Sequence, residues 1–146
     1  MPHAPDRQHH HRTLLILGIG ALAYSLAQTT VVPALASIQA EFGASTTGIT
    51  WMVTGYFLAA SIATPVMGRL GDMFGKERFL AISLVAFAAG SVVCALSDSL
   101  APMVVGRALQ GIGGGVFPLS FGIVRDEFPR NRVATGIAML GAIAGI

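Results

Sequence analysis

The stretch TLLILGIGALAYSLAQTTVVPALASIQA, residues 13–40, contains no charged side chain. About 20 residues at ~1.5 Å rise cross a hydrocarbon core of ~30 Å, so this segment alone is long enough to span a bilayer. Further uncharged stretches cover residues 42–68, 79–97 and 108–124. A soluble bundle would carry a polar face at a period of 3.6 residues, whereas these segments are apolar all round. Over the 146 residues, 53% are hydrophobic and only 11% charged, against roughly 25% charged in ordinary soluble domains. The composition excludes most soluble folds and predicts an all-α, polytopic membrane protein.

Charges and turn residues set the layout. Residues 1–12, MPHAPDRQHHHR, are polar, contain two prolines and read as a solvated tail. Helices are expected over about 14–38, 48–70, 79–96 and 100–124, with an incomplete fifth over 133–146. That last apolar run is shorter than a span, which makes the chain an amino-terminal portion of a longer protein, one that needs further helices as partners. Arg7, Arg12, Arg69, Lys76, Arg78, Arg125, Arg130 and Arg132 all fall on one side, and the opposite turns carry only Glu41 and Asp98. The positive-inside rule then puts the amino terminus and both charged loops in the cytoplasm.

Several other readings fail on spacing. The net charge of +2 lacks the clustered basic face that nucleic acid requires. Gly18, Gly20 and Ala23 mimic a dinucleotide fingerprint, but the apolar run continues through them to Ile38 with no strand-to-helix change. Arg7 and Arg12 before Leu14 resemble a signal peptide, yet the apolar segment is too long and further spans follow. His9, His10 and His11 have no Cys or carboxylate beside them and carry no metal site, and no cofactor is expected. Cys94 reads as a small buried hydrophobe. An intramembrane hydrolase would need a Ser/His or paired-carboxylate set, and the spans contain neither histidine nor acid.

Arg107 is the one charge deep within a span. An intramembrane charge costs at least about 2.5–3.5 kcal/mol, so it should face a cavity or a partner. Gln110 at i+3, Gly111 at i+4 and Gly114 at i+7 put a polar, open strip on the same helix face. Gly111 and Gly115 have GxxxG spacing, which points first to close helix packing. Pro118 should kink helix four, and Pro33, after Gln28, Thr29 and Thr30, should interrupt helix one. Tyr24 and Gln28 are i and i+4 and share a face. Paired broken helices mark binding sites in transporters, and helices one and four would be equivalents in an inverted repeat of three helices, which predicts a cavity between them lined by Tyr24, Gln28, Thr29, Thr30, Gly111 and Gly114.

The segment Gly68–Arg78, GRLGDMFGKER, places Asp72 just past the expected end of helix two, where the helix dipole is negative and the carboxylate needs an outside partner. Gly68, Gly71 and Gly75 permit a sharp turn there. This segment resembles the loop signature between helices two and three of the major facilitator superfamily: Gly68, Leu70, Asp72, Gly75, Lys76 and Arg78 match, while Met73 and Glu77 replace basic positions. MVVGRALQGIGGG, residues 103–115, is similar to that superfamily's fourth-helix motif through Arg107, Gln110, Gly111 and Gly113. WMVTGYFLAASIATPVMGRLGD and RDEFPRNR resemble its fourteen-helix multidrug:proton antiporter branch.

The resemblance implies a secondary transporter in the plasma membrane that works by alternating access. Gly68, Asp72, Gly75, Lys76 and Arg78 would form a cytoplasmic gate latched by Asp72, with Arg107 and Gln110 serving substrate or proton coupling. The expected activity is proton-driven efflux of a small drug-like or metabolite molecule, absent in these 146 residues alone. Two departures matter: helix one has Gln28, Thr29 and Thr30 where many drug:proton antiporters have an acid, and Met73 leaves Lys76, Arg78 or another helix to neutralise Asp72. A sugar or metabolite facilitator or symporter of the same fold, or a non-transporting membrane subunit, would share the same elements.

Overall fold

The computed structural model describes the backbone of residues 7–145 and the side chains of 13–143 and 145. Its elements are α1 (Arg7–Glu41), α2 (Thr46–Phe74), α3 (Lys76–Ala95), α4 (Leu100–Ile112), a 3₁₀ turn (Gly113–Gly115), α5 (Val116–Glu127) and α6 (Arg130–Ala144). There is no strand among the described residues. The protein is an all-α integral membrane protein: residues 13–41, 46–74 and 76–95 are each long and apolar enough to cross a bilayer.

The elements fall where charge and hydropathy put them, but the helices run further at both ends. α1 begins at Arg7, inside the stretch expected to be tail, and residues 1–6 of that stretch lie outside the described residues. α2 continues to Phe74, which places Asp72 in its last turn rather than beyond it. Hydropathy marks where the bilayer ends, while the backbone hydrogen-bond ladder propagates into the aqueous layer until a breaker stops it. The breakers are few. Ser45 caps α2 by accepting from the Gly48 amide at 3.2 Å. Between α2 and α3 only Gly75 interrupts the helix, at φ +110°, a value that L side chains rarely adopt. The expected loop at 71–78 is therefore a one-residue hinge. Phe128 and Pro129 alone separate α5 from α6.

Proline acts differently in the two helices expected to break. Pro33 sits inside an unbroken α1, correcting the expected interruption. The helix-four rod does change pitch, but at Gly113–Gly115, one turn before Pro118. A proline at 118 removes the donor to the carbonyl of residue 114 and crowds it, and the glycines before it accept the tighter 3₁₀ winding. Gly113, Gly115 and Val116 all keep right-handed helical dihedrals, so α4, the turn and α5 form one rod.

That rod is the centre of the bundle. α2 and α3 pack most extensively on α4, while α1 packs on α6 and α5. Close approach depends on missing side chains: a Cβ on Gly111 would stand 2.6 Å from the Tyr56 carbonyl oxygen, and one on Gly106 would stand 2.9 Å from that of Gly90. The packing reading of these glycines holds. The apolar core gathers toward the charged end, from Leu17 and Ala21 of α1, Leu80 of α3, Val116, Leu119, Ile123 and Val124 of α5, Phe128, and Leu140 of α6. Outward-facing apolar residues such as Leu15, Ile19, Trp51, Phe57 and Val85 remain exposed, as a lipid-facing surface requires.

Candidate functional site

Two polar clusters stand out from this apolar bundle. The first is built on Arg107, whose side chain is buried on α4. One turn further on, Gln110 turns its amide oxygen to Arg107 Nη1, which donates to it at 2.7 Å. Arg107 Nη2 donates to Gln28 Oε1 of α1 at 3.2 Å. The guanidinium carbon lies 4.6 Å from the centre of the Tyr56 ring of α2, a cation–π contact. Gln110 Nε2 donates to Ser91 Oγ of α3 at 2.9 Å, and Ser91 in turn donates to the Phe87 carbonyl at 2.9 Å. Tyr24 and Tyr56 are joined hydroxyl to hydroxyl, and Tyr24 packs on Phe87 and Phe117 at 5.4 and 5.6 Å between ring centres. Four spans thus meet around one cation.

Of the residues expected at this site, Tyr24, Gln28, Arg107 and Gln110 come together. Gly114 adjoins them, since a Cβ there would stand 3.4 Å from the Tyr24 hydroxyl and 2.9 Å from Thr64 Oγ1. Gly111 instead serves the α2–α4 contact. Thr29 and Thr30 do not take part: both are exposed, and their hydroxyls donate back to α1's own carbonyls, Thr29 to Ser25 and Leu26, and Thr30 to Leu26. Helical rotation explains the difference. Gln28 stands above Tyr24, whereas each following residue turns about 100° away. Tyr56 and Ser91 were not singled out in the sequence. The signal available for them was a polar atom within an otherwise apolar span, where it must find a partner.

The second cluster lies at the charged end. Lys76 Nζ, at the start of α3, forms ion pairs with Asp72 Oδ1 of α2 at 2.8 Å and Asp126 Oδ2 of α5 at 2.6 Å. Its aliphatic stem crosses Gly122, where a Cβ would come within 2.6 Å of Lys76 Cε. Gly122 therefore opens the groove that lets the ammonium reach Asp126. Gly68 lies against Pro118, with the position of its absent Cβ 3.9 Å from Pro118 Cβ, and Gly75 supplies the hinge. Arg78 is exposed beyond the cluster and takes no part in these ion pairs. Asp72 accordingly has its partner within these helices, at Lys76. Asp126 is the member missed in the sequence, hidden in a loop-like run of charges that turned out to be the last turn of α5. No group of His, Cys, Asp and Glu suited to a metal ion occurs among the described residues.

Comparison with known proteins agrees with this architecture. The Major Facilitator Superfamily profile matches residues 17–146. The chain is 37% identical over 144 residues to an uncharacterised MFS-type transporter of Mycobacterium tuberculosis (strain H37Rv), covering 98% of this chain and 20% of that protein. It is 33% identical to multidrug resistance protein 3 of Bacillus subtilis, with 90% and 26% covered. It is also 33% identical to the tetracenomycin C resistance and export protein of Streptomyces glaucescens, with 91% and 25% covered. The chain thus spans about a fifth to a quarter of the length of these relatives. The profile match takes in both polar clusters, and the chain belongs to the Major Facilitator Superfamily of membrane transporters.

Proposed function

We propose that the complete transporter containing this chain exports drug-like or metabolite cargo by alternating access, driven by protons. The observation that carries this reading is Arg107, a cation buried among hydrogen-bonding groups from four spans in a bundle that is otherwise apolar. Such a group is retained where it meets a substrate, an ion or a moving partner. Relatives named for multidrug resistance and for tetracenomycin C export favour efflux over uptake. Arg107 and Gln110 take the coupling role, with Tyr24, Gln28 and Gly114 beside them.

Asp72, Lys76 and Asp126 form the gate on the cytoplasmic side, the amino terminus lies on that same side, and the plasma membrane is the site of action. The described carboxylates all lie near helix ends, at Glu41, Asp72, Glu77, Asp98, Asp126 and Glu127. The proton-carrying group at membrane depth therefore belongs to helices outside these residues, and the 146 residues alone do not transport.

The test is extrusion of fluorescent drugs from efflux-deficient cells expressing the complete protein. Extrusion that collapses on adding an uncoupler supports the reading. Saturable uptake of a single sugar or metabolite, with no extrusion, replaces it with a facilitator or symporter.

A further inference from the structure

The hydrogen-bond inventory around Arg107 does not balance. A guanidinium offers five N–H donors and no acceptor. Nη1 and Nη2 reach Gln110 and Gln28, but Nε is buried without an acceptor. Gln28 Nε2 is also buried without a hydrogen bond of ordinary geometry, with the Tyr56 hydroxyl as the polar group beside it. This nitrogen shares an amide with the oxygen that Arg107 already holds, so both unpaired donors lie on two side chains in direct contact. Turning the Gln28 amide over would only set its NH₂ against the guanidinium. Ser91 offers no relief, since its oxygen receives Gln110 and its proton goes to Phe87.

Charge is unbalanced in the same place. The ion pairs of Lys76 lie at the charged end, away from Arg107, and no carboxylate among the described residues pairs with Arg107. A buried donor left unpaired costs about 1–3 kcal/mol, and a buried cation without a counter-charge costs more. Among the described residues the cluster therefore has an excess of donors and of positive charge: its acceptors are amide, hydroxyl and backbone carbonyl oxygens, and none is a carboxylate. Beside it stand the rings of Tyr24, Phe87, Phe117 and Tyr56, which give the cluster an aromatic side.

We propose that the Arg107–Gln28 pair is a binding site for the carboxylate of an amphipathic aromatic acid, with the acid's ring against the rings of Tyr24, Phe87 and Phe117. The carboxylate takes the Nε edge of the guanidinium, the geometry in which arginine binds carboxylates through two parallel hydrogen bonds, and accepts from Gln28 Nε2 as well. The inference deepens the transporter reading by naming the headgroup of the cargo, and it rests on that reading only for the step from binding to export.

The experiment measures equilibrium binding of three probes of one shape, 2-naphthoate, 2-naphthamide and 2-naphthylmethylammonium, to the complete transporter in nanodiscs. The expected result is that naphthoate binds at least ten-fold tighter than the other two. In Gln28→Glu, which supplies Arg107 with an internal carboxylate and keeps the cluster's shape, naphthoate affinity should fall at least ten-fold. In Arg107→Gln the preference for naphthoate over naphthamide should vanish. Equal binding of the acid and the amide, no binding of any probe, or an unchanged preference in a folded Gln28→Glu protein overturns the inference. The two readings fail separately. Uncoupler-sensitive drug extrusion without a carboxylate preference leaves the exporter and removes the acid site, whereas tight naphthoate binding without gradient-driven flux does the reverse.

Discussion

Lys76 and Asp126, fifty positions apart in sequence, are held 2.6 Å apart across the groove opened by Gly122. With Asp72 on its other side, the Lys76 ammonium ties the end of α2 to the end of α5 through the first residue of α3. Exposed ion pairs contribute about 0–1 kcal/mol, and both carboxylates here are more than half exposed. The cluster is therefore weak enough to open and re-form at little free-energy cost, as the proposed gate requires.

Asp72→Asn should accordingly shift the melting temperature of the complete transporter little, while transport falls several-fold and cargo affinity stays within about two-fold, as expected for an ion pair worth no more than ~1 kcal/mol. Parallel flux and binding assays check this. Equal loss of flux and affinity would remove the gating role from Asp72.

Arg107→Lys keeps the charge but loses the planar fork that reaches Gln28 and Gln110 together. Hydrogen bonds to charged groups are worth about 1.5–3 kcal/mol, so transport should drop about ten-fold or more at unchanged expression. Flux equal to the parent would reduce Arg107 to a general positive charge.

Gly111→Ala tests the α2–α4 contact, since the added methyl would meet the Tyr56 carbonyl oxygen at 2.6 Å and Ala59 Cβ at 2.8 Å. Overpacking of this kind costs about 1–3 kcal/mol, seen as a lower melting temperature in detergent. Gly141→Ala is the matched control: nothing stands within 4 Å of a Cβ there. It should be neutral or gain up to ~1 kcal/mol from helix propensity. Equal effects at the two sites would contradict the packing.

Gly75→Ala should destabilise the α2–α3 hinge by about 1–3 kcal/mol although no neighbour is crowded, because the cost is the backbone's positive φ. Limited proteolysis near residue 75, compared with the parent, gives the readout. An unchanged cleavage rate would show that the hinge has another accessible conformation.

The sequence made the spans legible because a bilayer imposes a length and an absence of charge that few other environments demand. Helix ends were less so: Arg69 and Asp72 look like the start of a loop, yet both lie within α2, since water tolerates charged side chains on a continuing helix. Arg107, Gln110, Gln28 and Tyr24 could be read from spacing within one helix. Tyr56 and Ser91 could not, because their place depends on which faces of α2 and α3 turn toward α4, a matter of packing between helices. Thr29 and Thr30 were drawn in by adjacency to Gln28, although a helix separates sequence neighbours onto different faces.

The three residues Gly113–Gly115 wind at about 120° each instead of about 100°, advancing the rod by roughly 60° over a uniform α-helix. The α4 half can thus aim Arg107 and Gln110 at their polar partners while the α5 half aims Leu119, Ile123 and Val124 at the apolar core. One continuous span thereby serves two different interiors, joined by a phase shift where side chains are too small to resist it.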